Sequence, residues 1–182
     1  MRATFCATDP EQQSGISHLA SRIALRAAVF VLLVPGAIGG WIPFLIAGDA
    51  EPVRAWTAHW VLGLMLVVIG WSILLWCTFE FVQRGRGTPS PQSAPTQLVT
   101  SGLFRFVRNP MYVGVVTAIA GIALAKRSLG TAIYCTAVAL AFHLRVVLYE
   151  EPRLRREFGA SFDEYRRKVP RWLPRLSRPR QR

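Results

Sequence analysis

Residues 111–144 read MYVGVVTAIAGIALAKRSLGTAIYCTAVALAFHL, two uncharged runs parted by Lys126-Arg127. The first, Met111–Ala125, has 15 residues and the second, Ser128–Leu144, has 17. Each falls short of the roughly 20 apolar residues that cross a bilayer core. Extended by Val107–Pro110 and by Val146–Tyr149, they predict two helices joined by a tight turn at 126–130, a helical hairpin. Gly114, Ala118, Gly121 and Ala125 recur every three or four positions. Such a stripe lets another helix approach closely. Ordinary Gly/Ala content of apolar helices gives the same pattern, so both readings stay open.

Outward from the hairpin, two more runs have the same character. Ala55–Phe79 is 25 residues without a charge and Ala27–Gly48 is 22. At about 1.5 Å per residue either spans a hydrocarbon core of roughly 30 Å. Trp56 and Trp60 near one end of the longer run, and Trp71 and Trp76 near the other, resemble two interfacial aromatic belts. Pro35, Pro43, Gly36, Gly39 and Gly40 predict a kink in the other. An apolar medium tolerates a kink where neighbours satisfy the freed carbonyls. That run begins after Arg26, too far in and too long for a cleaved signal peptide.

The remaining segments differ in kind. Residues 1–22 form a polar tail and 84–97 (RGRGTPSPQSAPTQ) a loop. Leu98–Arg108 is short and amphipathic. It leads to Asn109-Pro110, residues that suit a helix cap and a first helical turn. Past Leu144 the chain turns basic, with 12 Arg/Lys and five acids in residues 145–182. Leu154, Phe158, Phe162, Tyr165 and Val169 share one face of an amphipathic helix over about 152–169. Pro170, Pro174 and Pro179 end it, and 176–182 is a basic tail. The expected fold class is all-α: an integral membrane bundle of about four spans (27–48, 55–79, 107–125, 128–149) with a cytosolic basic amphipathic C-terminal helix, the domain running over 23–175.

Composition agrees. The 182 residues suit one domain, and 52% hydrophobic against 18% charged residues, with mean hydropathy +0.30, excludes disorder. The 22 Lys/Arg against 10 Asp/Glu give a net charge of +12. With four spans, 19 of the 22 basic residues fall on one side, in the N-terminal tail, the central loop and the C-terminal region. The other three are Arg54, Lys126 and Arg127. The positive-inside rule then places both termini in the cytoplasm of an inner or plasma membrane, with the basic C-terminal region against anionic lipid or forming the wall of a cytosolic pocket. Nucleic acid is not the expected partner, because the base follows alternate loops and the tail lacks interleaved aromatics. Cys6, Cys77 and Cys135 lack metal-ligand spacing. His18, His59 and His143 are scattered, so no metal site is expected, and His59 and His143 are expected to hydrogen-bond within the bundle.

Two clusters flank the hairpin and meet at one membrane face if it forms. They are Gly102-Leu-Phe-Arg-Phe-Val-Arg108-Asn109-Pro110-Met-Tyr112-Val-Gly114, and Arg145-Val-Val-Leu-Tyr149-Glu150-Glu151-Pro152-Arg-Leu154 with Phe158-Gly159, Tyr165 and Val169-Pro-Arg-Trp-Leu-Pro174. The helix start after Pro110 offers unpaired N–H groups that suit a carboxylate, and Arg108 can pair with the same group. Glu150 and Glu151 can take an ammonium or ribose hydroxyls, and the rings of Tyr112 and Tyr149 can face a cation. Pro152 disfavours helical geometry at Glu151 and predicts a kink there. Bland roles compete: Glu150–Arg153 and Glu151–Arg155 have the spacing of surface ion pairs, and Arg105 and Arg108 that of snorkelling anchors.

These strings, in this order and spacing, resemble the isoprenylcysteine carboxyl methyltransferase/phospholipid methyltransferase family of integral membrane enzymes, over roughly residues 60–175. The resemblance implies S-adenosylmethionine-dependent methyl transfer to a lipophilic acceptor that enters from the bilayer. It implies a cofactor site made by Gly102, Arg108, Asn109, Pro110 and Tyr112 on one side and Glu150 and Glu151 on the other. Arg145 is the expected catalytic group, holding the acceptor's anion. The family's usual Arg-His-Pro is Arg-Asn-Pro here, and Asn109 hydrogen-bonds but does not titrate near neutrality.

Overall fold

The computed structural model describes residues 33–48, 57–84, 98 and 100–174, with the backbone alone at 81–84. The polar N-terminal tail, residues 27–32, Arg54, Trp56, most of the 84–97 loop and the basic 176–182 tail lie outside the described residues. Every regular element among the described residues is helical. Helix α1 is Leu33–Ala47, α2 is Ala58–Arg84, α3 is Pro110–Lys126 and α4 is Leu129–Arg145. The last continues through a π turn, Val146–Glu150, into α5 (Glu151–Phe158), and α6 is Ala160–Lys168. Two helical stretches are long and apolar enough to cross a membrane, Ala58–Glu80 and Leu129–Phe158; α1 and α3 are shorter apolar helices. Large apolar side chains such as Leu62, Met65, Ile133 and Leu148 are exposed on them, as lipid-facing surfaces require.

The small-residue stripe packs, and its partner is α2. A Cβ on Gly70 would lie 2.5 Å from the Gly114 carbonyl oxygen, and one on Gly121 2.6 Å from that of Gly63. Two backbones thus meet with nothing between them, which only glycine permits. Leu74, Val115 and Ile119 form the buried centre beside this seam, with Trp71, Tyr134 and Phe142 packed around them.

Where a kink was expected, α1 has a π turn, Ala37–Trp41. The N–H of Ile42 reaches back to the Ala37 carbonyl, and Pro43 has no N–H, so the helix leaves the Ile38 carbonyl without a donor. The Tyr134 hydroxyl donates to it at 3.1 Å, and Thr131 Oγ1 donates to the Pro43 carbonyl at 3.3 Å. The α3–α4 turn forms as expected. Arg127 takes a left-handed conformation, and the Ser128 hydroxyl accepts the Thr131 N–H. Lys126 Nζ donates to the Gly48 carbonyl at 3.5 Å, so the end of α1 and the hairpin turn share one end of the bundle.

Three expectations change. Pro152 does not take Glu151 out of helical geometry. Glu151 is helical (φ −64°, ψ −43°), and its N–H bonds to Val146 through the wide turn, which leaves room for the proline ring. The amphipathic helix over 152–169 is two helices, because Gly159 takes φ +52° and ends α5. Its apolar face survives the break, with Phe162 and Val169 buried. The second apolar run continues as helix past Phe79 to Arg84.

Candidate active site

The end of the bundle opposite the hairpin turn gathers three segments: the 101–112 stretch, the π turn with Glu150 and Glu151, and the 165–172 stretch. A 3-10 turn, Gly102–Arg105, starts the first. Gly102 has φ +59°, and a Cβ there would lie 2.8 Å from Glu80 Cδ. Ser101 Oγ donates to Glu80 Oε2 at 3.1 Å, and Glu80 is buried. The contact described for Gly102 is therefore with Glu80 at the foot of α2. Tyr165 donates to the Phe104 carbonyl at 2.6 Å, and burial pushes its phenol up to about 12.

Helix α3 begins at Pro110, but the Asn109 side chain does not cap it. Asn109 Nδ2 donates instead to the Arg171 carbonyl at 3.3 Å, and the Arg108 N–H donates to the Pro170 carbonyl at 2.9 Å. The segment between Val169 and Pro174 is thereby strapped over the Arg-Asn-Pro corner. Trp172 Nε1 fixes the strap further by donating to His143 Nδ1 at 3.3 Å. His59 likewise has a partner, Thr57, at 3.2 Å.

The two carboxylates face different partners. Glu150 Oε1 accepts from the Tyr112 hydroxyl and, at 2.9 Å, from Arg145 Nε; the same Nε lies 3.2 Å from the Tyr112 oxygen. Arg145 also stands 5.8 Å from the centroid of the Tyr149 ring, while the Tyr112 ring packs on Phe142. Glu151 Oε1 accepts from Arg108 Nη1 at 3.0 Å and from Arg171 Nε at 2.7 Å, and its Oε2 from Arg171 Nη2 at 3.0 Å. Those bonds hold the Arg171 guanidinium pKa above its ordinary value.

The bland assignments fail here. Arg153 pairs with Glu157 and Arg155 with Asp163, not with the Glu pair. Arg108 is no snorkelling anchor: its side chain is 10% exposed, and its Nε is buried without a hydrogen-bond partner among the described residues. Arg105 does stay at the surface, over the Phe106 ring.

The expected residues Arg108, Asn109, Pro110, Tyr112, Arg145, Glu150 and Glu151 are thus brought together, and Gly102 starts the turn that feeds them. Arg171 and Glu80 were not anticipated. Arg171 stands inside Val169-Pro-Arg-Trp-Leu-Pro174, where an arginine flanked by prolines was the available signal. Among the described residues no group of three or more His, Cys, Asp or Glu could hold a metal ion, and Cys77 and Cys135 are free thiols.

A helical bundle with apolar membrane-length helices, carrying Arg-Asn-Pro-x-Tyr and Glu-Glu at one end, has the character of a membrane methyltransferase-type protein. The chain belongs to the phospholipid methyltransferase family, whose model matches residues 58–161. It is 31% identical over 181 residues to the cobalt-zinc-cadmium resistance protein CzcN of Cupriavidus metallidurans, covering 96% of this chain and 76% of that one. It is 31% identical to the nickel-cobalt-cadmium resistance protein NccN of Alcaligenes xylosoxydans, over 73% of this chain and 59% of that protein. It is 32% identical over 77 residues to the protein-S-isoprenylcysteine O-methyltransferase of Schizosaccharomyces pombe, 42% of this chain and 33% of that one. No solved structure matches the chain.

Proposed function

We propose that the protein is an S-adenosylmethionine-dependent methyltransferase acting on a lipophilic acceptor at the cytosolic face of an inner or plasma membrane. The observation that carries this is the polarity of the two carboxylate nodes. Around Glu151 stand two guanidiniums, so that node is net cationic and, among the described residues, has an unpartnered buried N–H at Arg108. Around Glu150 stand one guanidinium and a phenol, and its Oε2 accepts no hydrogen bond among the described residues. A net positive node beside a neutral one whose carboxylate keeps an open oxygen suits a zwitterionic amino-acid group, carboxylate toward Arg108 and ammonium toward Glu150.

When bound, the cofactor supplies a sulfonium methyl group already activated for in-line displacement. The chain's part is to bind, orient and keep water out. Arg108, Asn109, Pro110 and Tyr112 make one half of the site, Glu150 and Glu151 the other, with Gly102 shaping the approach. Arg145, 45% exposed beside Tyr149 and Leu148, holds the anionic group of an acceptor arriving from the bilayer. The acceptor classes that fit are an isoprenylcysteine-like carboxylate, a phospholipid amine, or a small apolar thiol or acid. The supporting topology has four spans, with α1 and α3 crossing as well. Both termini are cytoplasmic, and the exposed Arg155, Arg156, Arg166, Arg167 and Lys168 lie against anionic lipid.

The names of the relatives that cover most of the chain favour a second reading, a non-enzymatic membrane assembly or carrier protein in metal resistance. Titration of nanodisc-embedded protein with S-adenosylmethionine separates the two. Mass spectrometry of membrane extracts incubated with labelled methyl donor, with and without the protein, then identifies the acceptor. Saturable binding and a labelled lipophilic product are expected. Neither appearing would leave the carrier reading.

A further inference from the structure

Glu150 and Glu151 are neighbours in sequence but not in circumstance. Glu151 is 11% exposed in its side chain and already receives three hydrogen bonds from two arginines, which nearly fill a carboxylate's capacity. Glu150 is 26% exposed and has an oxygen to spare. An ammonium brought to Glu151 would be the third cation on one carboxylate, with Arg166 close enough to add its field. Brought to Glu150 it meets a single arginine. The electrostatics therefore send a cation to Glu150.

Something must then keep Glu151 occupied, and that is Arg171. Its planar fork grips both oxygens, and Oε1 is left to share with Arg108 Nη1. The same residue's carbonyl takes the Asn109 amide, and the preceding carbonyl takes the Arg108 N–H. Residues 170 and 171 thus hold Arg108 at its backbone, hold its neighbour's side chain, and hold the carboxylate that orients its guanidinium.

We propose that Arg171 is a positioning residue of this site: through Glu151 it sets the guanidinium of Arg108, so that Glu150, and not Glu151, contacts the cofactor. The inference rests on the cofactor reading above. It divides the labour of the Glu pair, with one carboxylate for the ligand and one for a clamp that joins the strap to the start of α3.

Two ligands test it. S-adenosylmethionine has an amino-acid carboxylate and an ammonium; its decarboxylated form keeps the ammonium and sulfonium but lacks the carboxylate. Binding is measured in nanodiscs for the natural protein, Glu150→Gln, Glu151→Gln, Arg171→Gln and the double variant Glu151→Gln/Arg171→Gln. The double variant removes one charge of each sign, so it keeps the node's balance where a single change endangers folding. Glu151→Gln and Arg171→Gln should each lose about tenfold in affinity for S-adenosylmethionine and change little for the decarboxylated ligand. Glu150→Gln should weaken both ligands. The double variant should lose no more than the worse single variant, because the two residues act as one unit. Arg171→Lys, which keeps the charge but not the fork, should restore affinity only in part.

Equal losses on the two ligands for Glu151→Gln would put Glu151 on the ammonium and overturn the proposal. So would additive losses in the double variant, since they would put Arg171 on the carboxylate itself. If the natural protein binds neither ligand, the cofactor reading falls. The clamp is then judged by thermal unfolding of the same variants: coupled Glu151 and Arg171 effects uphold it and independent effects overturn it.

Discussion

The seam between α2 and α3 and the polar node that joins α3 to α4, α5 and the strap hold helices together by opposite means. At the seam Gly63, Gly70, Gly114 and Gly121 let backbone touch backbone. At the node everything is side chain, with Tyr112, Arg145 and Glu150 on one side and Arg108, Glu151 and Arg171 on the other. In lipid, apolar surfaces gain little by meeting each other, so association depends on close packing and on polar groups with partners. The seam is therefore sensitive to volume and indifferent to charge, and the node is the reverse.

That contrast can be broken by substitution. The largest effect is expected from Glu151→Ala, which leaves Arg108 and Arg171 facing each other with no carboxylate. Loss of one partner from a buried ion cluster costs about 3–5 kcal/mol, so thermal unfolding in nanodiscs should fall steeply. A second change, Arg171→Ala, should recover part of the loss. Next comes Gly70→Ala, a single methyl that would sit 2.5 Å from the Gly114 oxygen and 2.6 Å from the Ala118 nitrogen. Overpacking of this kind costs about 1–3 kcal/mol, and it should be insensitive to salt, unlike the change at Glu151. An equal salt response at both sites would erase the distinction.

Tyr165→Phe sharpens the comparison at smaller amplitude. It removes the 2.6 Å bond to the Phe104 carbonyl and should lower stability by about 0.5–1.5 kcal/mol, with the strap becoming more open to limited proteolysis. The smallest effect is expected from Lys168→Ala, whose ion pair with Glu164 is exposed on both sides. Such pairs contribute little, so no measurable shift in unfolding temperature is expected in nanodiscs of neutral lipid; a shift that appears only with anionic lipid would report the basic face of α6 on the headgroups.

Much of the bundle could be read from residue types. Charge-free runs located the apolar helices, Lys126-Arg127 the turn, and Asn109-Pro110 the start of α3. The stripe was visible, but its partner was not: Gly63 and Gly70 stand among bulky residues, and only the three-dimensional fit shows that they complement Gly114 and Gly121. At Pro152 the rule that a proline disfavours helix before it was sound. A wide turn satisfied it without a break, because shifting one hydrogen bond back to Val146 makes the room that the ring needs. The candidate site was legible through its motif strings, yet partner choice was not. Nothing in the spacing of Glu150 and Glu151 says that one meets Tyr112 and the other Arg171, since those partners lie 38 residues before and 20 residues after in the chain.

The π turn before Pro152 also acts as an angular setting. A residue advances an α-helix by about 100°, so one extra residue in a turn rotates everything after it by that much relative to an unbroken helix. The same device stands in α1, where the wide turn ends two residues before Pro43 as this one ends two residues before Pro152. The bearing of Glu151 relative to α4 is thus dialled by the length of residues 146–150. Insertions and deletions of one residue, usually disruptive in helices, would here act as a selector: a single deletion in the turn would rotate Glu151 to the bearing Glu150 now holds, facing Tyr112, and would leave no carboxylate facing the strap.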